Sequence, residues 1–154
     1  MRKFIAFIGL LMLSVISFAQ ATEGSDGLYR DSQGNLYTGE VSGYFDNGQL
    51  RIKSQIVNGI ADGMVAFYNQ DGWLEESGVF TSGKKNGIWI QFNNMGIKIG
   101  EAKYTNGLKD GVWTVWDDNQ VKRYHMVYNM GKKIDVWKMW DENSNLVSER
   151  VYNE

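Results

Sequence analysis

One phrase recurs along this chain at a spacing that never changes. "FTSGKKNGIWIQFNNM" begins at Phe80, "YTNGLKDGVWTVWDDN" at Tyr104 and "YNMGKKIDVWKMWDEN" at Tyr128, each 24 residues after the one before. A weaker copy, "IVNGIADGMVAFYNQD", begins one step earlier at Ile56. Gly59, Gly83, Gly107 and Gly131 fall in one column. Gly63, Gly87 and Gly111 fall in a second, where Asp135 takes the next place. A third reads Gly48, Gly72, Gly96, Gln120, Ser144. Two apolar columns run between them: Val41, Val65, Trp89, Trp113, Trp137, and Tyr44, Tyr68, Phe92, Trp116, Trp140. A last column is Ile56, Phe80, Tyr104, Tyr128, Tyr152. Such agreement without insertion means that one small structural unit is built repeatedly and stacked.

The unit cannot be a helix, because the stretches between glycines are too short for one. "GIWIQF", "GVWTVW" and "DVWKMW" are β-branched and aromatic, and they end at turn sequences such as "DNG", "QDG" and "DENS". The segments that follow, "KIGEAKYT" and "VKRYHMVY", alternate polar with apolar. Each unit therefore reads as a β-hairpin, joined to the next by a loop such as residues 106–111. A lone hairpin is marginal, but stacked copies bury one another's apolar faces. The expected fold is all-β: tandem 24-residue hairpins in an elongated, twisted antiparallel sheet. About ten strands at ~4.8 Å would span ~45 Å. Parity places Phe80, Tyr104 and Tyr128 inward with Gly78, Ala102 and Met126. Glu75, Ser77, Glu101, Lys103, Arg123 and His125 take the other parity and are expected to meet water.

The pattern "G-x-W-x-x-(F/Y/W)-x-x-x-G", followed by an aromatic and "N-G-x-x-(D/N)-G", resembles MORN repeats, most closely the bacterial variant of the YwqK-like antitoxin family. "LYTGEVSGYFDNGQLRIKSQIVNGIADG", residues 36–63, resembles that family's opening unit. The resemblance covers residues 36–154 and implies a binding or scaffolding module without catalysis, and the antitoxin family would make its partner a toxin. The chain departs from it at Gln120, Ser144 and Asp135, as a terminal cap or added specificity would require.

Ahead of the repeats, Arg2 and Lys3 precede the apolar residues 4–16, and Ala19-Gln20-Ala21 offers small residues where signal peptidase reads. The layout is that of a cleaved secretory signal over residues 1–21. The apolar run is shorter than a spanning helix needs. The expected organisation is a signal at 1–21, a lead-in at 22–35, and a repeat domain of about five hairpin units at 36–154, exported to the periplasm or beyond after cleavage near Ala21. An envelope immunity protein would reconcile export with the antitoxin resemblance.

Chemistry is sparse. The chain has one histidine, His125, no cysteine and no "G-x-S-x-G" elbow, so no catalytic set and no zinc ligand set is expected. Asp117, Asp118, Asp141 and Glu142 lie at hairpin tips, where turn preference accounts for them better than calcium. No metal and no cofactor are expected. The net charge of −2, more negative without Arg2 and Lys3, argues against nucleic acid. In-register stacking would leave the tip edge acidic and the return edge, with Lys84, Lys85, Lys109, Lys132 and Lys133, mildly basic.

The tryptophans carry the binding expectation. Trp89, Trp113 and Trp137 differ in parity from Trp116 and Trp140, so a single-layer sheet cannot bury both columns alone. Stacked core ladders are the simpler reading of each. A partly exposed column would offer Trp89, Trp113, Trp116, Trp137 and Trp140 as anchors for a protein partner. The rival is an envelope module for glycan or lipid, with peripheral membrane contact through the basic edge. Pairing of sheet ends between copies makes a homodimer plausible.

Overall fold

The computed structural model describes residues 21–153. The expected signal therefore lies outside the described residues, apart from Ala21. Ten strands form one sheet whose spatial order is the sequence order. They are β3 (Gly39–Tyr44), β4 (Leu50–Val57), β5 (Ile60–Tyr68), β6 (Leu74–Thr81), β7 (Lys84–Phe92), β8 (Lys98–Thr105), β9 (Leu108–Trp116), β10 (Lys122–Asn129), β11 (Lys132–Trp140) and β12 (Leu146–Tyr152). All neighbours are antiparallel. The tandem-hairpin architecture read from the period is the one observed. In the lead-in, β1 (Thr22–Glu23) pairs with β2 (Tyr29–Arg30), and Arg30 bridges to Leu36. Asp31 caps the turn between them by accepting from the backbone N–H groups of Gln33 and Asn35.

The connection expected at residues 106–111 is not a loop. Thr105 faces Leu108 across a two-residue turn, and β9 has already begun at Leu108. Asn106 and Gly107 both have positive φ, 51° and 85°, as a type I′ hairpin turn requires. Asn58-Gly59, Ser82-Gly83 and Met130-Gly131 repeat that geometry. The second glycine column marks a bulge rather than a loop end. Ala102 pairs with Trp113 but Tyr104 with Lys109, so β9 carries two extra residues around Gly111, whose φ is 92°.

Each unit is tied to the one before it along the return edge. The N–H groups of Gly59, Gly83, Gly107 and Gly131 donate to the carbonyls of Tyr37, Ala61, Lys85 and Lys109 at 2.7–2.8 Å. At the opposite edge the tip turns are capped from within. Asn69, Asn93, Asp117 and Asp141 each accept two backbone N–H groups of their own turn.

Directly paired residues share a face of the sheet, so the register sorts the side chains. One face, here the ladder face, carries Phe80, Trp89, Tyr104, Trp113, Tyr128, Trp137 and Tyr152 as a continuous run of rings. Neighbouring centroids lie between 4.9 and 6.2 Å apart in tilted or edge-on contact. Such pairs contribute about 0.5–1.5 kcal/mol each beyond the area they bury. Ile56, Val65 and Trp89 are the most deeply covered of the core.

Candidate binding surface

The structure divides the tryptophans between the two faces. Trp113 and Trp116 stand three residues apart in one regular stretch of β9, so they point oppositely. Trp137 and Trp140 do the same on β11. Trp89, at 1% exposure, lies inside the ladder, while Trp113 and Trp137 are half-buried in it. The indole N–H groups of Trp89, Trp113 and Trp137 donate to the carbonyls of Val79, Lys103 and Val127 at 3.2, 3.0 and 3.0 Å. Those carbonyls lie at the bulged register of the preceding hairpin, so each tryptophan supplies a donor where the ladder is interrupted. Trp116 and Trp140 sit near the tip edge of the second face, under Lys98 and Lys122 at 4.6 and 5.7 Å.

The lysines expected to line the return edge do not all stay there. Lys85, Lys109 and Lys133 reach over the ladder, with their ammonium groups 3.7, 4.2 and 4.6 Å from the centroids of Trp89, Trp113 and Trp137. A cation over an indole face is attracted by the ring quadrupole. Lys85 also grips Glu76 through both carboxylate oxygens. The Tyr104 hydroxyl stays protonated to higher pH than usual, through burial first and then the Glu76 and Tyr128 charges.

The second face is less polar than parity suggested. Met64 pairs with Val79, Val112 with Val127 and Val136 with Val151, and Ile88 stands opposite Lys103. These side chains make an apolar row crossing the sheet from β5 to β12, interrupted at Lys103. Met64 is 66% exposed, Ile88 54% and Val151 63%. At the N-terminal end the row floors an open hollow of about 550 Å³ with Ala66 and Ile90, beside the Lys53–Glu40 ion pair at 3.1 Å. The signal was present in "GIWIQF": Ile88 and Ile90 take one parity and Trp89 the other, so both faces are apolar there.

The acidic tips are occupied by turn chemistry. Asp117 pairs with Arg123 at 3.3 Å, and Asp118 accepts from the Asn93 amide at 2.7 Å. Burial works to raise the Asp117 pKa, but the Val121 N–H, Arg123 and the Asn119 N–H outweigh it, so the net shift is downward. Among the described residues no three His, Cys, Asp or Glu side chains gather as a metal site requires. His125 is half-buried on the second face, between Thr114 and Lys138 in the pairing. No described helix is long and apolar enough to cross a membrane.

A single-layer sheet of stacked hairpins, with rings on one side and an exposed aliphatic row on the other, defines a class: a repeat protein that offers surfaces. Within it, residues 37–58 match the family described as a MORN repeat variant. MORN repeats are generally protein- or membrane-binding modules. The matched segment holds β3, the tip turn and β4, the first of the hairpins. No curated protein matches the sequence significantly.

Proposed function

We propose that this chain is an exported, non-catalytic module that binds a partner protein along its sheet, in an antitoxin- or immunity-like role in the cell envelope. The observation that carries the reading is the exposed aliphatic row through Met64, Val79 and Ile88. Exposed contiguous apolar surface on a soluble protein marks an interaction site. Export rests on residues 2–21, and the immunity-like role on the resemblance of residues 36–63.

The test is capture from envelope extract with residues 22–154, beside two variants shown to remain folded. Met64→Asp/Ile88→Asp alters the row, and Trp113→Ala/Trp137→Ala alters the ladder face. One protein retained by the parent and lost with the first variant supports the reading. Loss of nothing with either variant sinks it. Quenching of tryptophan emission by sugars, or salt-sensitive binding to anionic vesicles, would replace it with the glycan or lipid alternative.

A further inference from the structure

The ladder face changes character towards its C-terminal end. One column of the period on this face reads Ser54, Gly78, Ala102, Met126, Arg150, and all but Ser54 adjoin a tryptophan. Where the position is smallest, the indole packs directly on the backbone: a methyl group at Gly78 would run into Cδ2 of Trp89. At Met126 that close seat is gone. Tyr124, which is 43% exposed, then frames an open cleft of about 270 Å³ with Met126, Trp137, Met139 and Tyr152. Arg150 stands at its rim with its guanidinium carbon 5.1 Å from the Tyr152 ring.

Of the cations lining this cleft, Lys138 is paired with Glu149 at 3.5 Å and Arg150 is not ion-paired, and two further lysines lie over the rings of the same face. Lys109 sits over Trp113 and Tyr128 at 4.2 and 5.0 Å, and Lys133 over Trp137 and Tyr152 at 4.6 and 5.4 Å. Lys85, one repeat earlier, has Glu76 at 3.0 Å. Among the described residues, Lys109, Lys133 and Arg150 have no such ion pair. The rings hold the ammonium groups in place without neutralising them. Being one repeat apart, Lys109 and Lys133 are separated by two strand spacings, ~9.6 Å. A polyproline-II segment advances ~9.3 Å in three residues and returns its side chains to the same side.

We propose that this half of the ladder face binds an extended acidic segment of a protein partner, in polyproline-II conformation with a carboxylate at every third residue. Successive carboxylates meet Lys109 and Lys133, intervening apolar residues enter the cleft over Tyr124 and Trp137, and Arg150 adds a third cation. Aromatic-lined grooves are the usual seat of such segments. The proposal sharpens the partner-binding reading but uses the opposite face from the aliphatic row, so the two fail separately.

The probe is a synthetic peptide of four Glu-Pro-Pro triplets with blocked ends, titrated while the protein's tryptophan emission is followed. A saturable change is expected with the Glu peptide and none with its Gln-Pro-Pro counterpart. The half-saturation point should rise at least tenfold in Lys109→Gln/Lys133→Gln/Arg150→Gln, with circular dichroism unchanged. It should stay put in Lys84→Gln/Lys132→Gln, which removes two lysines of the neighbouring turns, and in Met64→Asp/Ile88→Asp. Equal binding of both peptides, an unchanged midpoint in the folded triple variant, or binding of anionic vesicles without the peptide would each overturn it.

Discussion

Met130 occupies a position whose backbone suits a different side chain. Its φ is 44°, the left-handed region that asparagine tolerates and that Asn58 and Asn106 occupy at the equivalent turns. Met130→Asn should therefore stabilise the protein by about 0.5–1 kcal/mol, raising the melting temperature by a few degrees. A fall would mean that the exposed methionine makes a contact worth more than the relieved strain. Gln120 and Ser144, where earlier repeats have glycine, keep φ at 63° and 64°, so the turn persists without the residue that favours it. Gln120 gains a bond in exchange, its amide donating to the Lys98 carbonyl at 2.9 Å. Gly78→Ala drives a methyl into the Trp89 indole and should destabilise by about 1–3 kcal/mol in thermal or urea unfolding. The glycine columns were legible as turn positions because their spacing is strict. That Gly78 is small to seat a tryptophan was not legible, since Ala102 and Met126 hold the same column.

Among the elements, the strands and tips were readable and the connections were not. Gly107 and Gly111 look alike in sequence, yet one closes a two-residue turn and the other sits in a bulge inside β9. Only the pairing distinguishes them. The same bulges bring the indole N–H groups to main-chain carbonyls, a role that no tryptophan pattern announces. The tip caps make a pH prediction. The Asp141 carboxyl is held below its usual pKa of 3.8 by the Asn145 side chain first, then by the backbone N–H groups of Asn145 and Asn143. Its contribution to stability is thus complete above about pH 4 and is lost as the pH falls through the lower folded value. Asp141→Asn keeps a capping oxygen, as Asn69 and Asn93 show, and removes the titration. Melting temperatures from about pH 6 to about pH 2.5 should fall less steeply in that variant than in the parent. Parallel curves would show that the cap does not couple to folding.

At the scale of the molecule, each strand of the large sheet hydrogen-bonds only with its sequence neighbours, so stability is close to a sum of hairpins and the contacts between them. Amide exchange should be slowest in β6 to β9, around the buried Trp89, and fastest in β12, which is exposed along nearly its whole length. Uniform protection across the sheet would instead indicate all-or-none opening. The period made this architecture legible before any contact was known. The second face was less so, because charged Glu101, Lys103 and Arg123 drew attention from Val79 and Val127, which share its aliphatic row. The stitched return edge also has a mechanical meaning. With strands laid down in sequence order and no crossover, tension on the two chain ends meets the terminal strand pairs one at a time, like the teeth of a zipper. The sheet would yield at low force in steps, each releasing one hairpin and ~80 Å of chain. A protein built this way can lengthen under load while its remaining hairpins keep their partners.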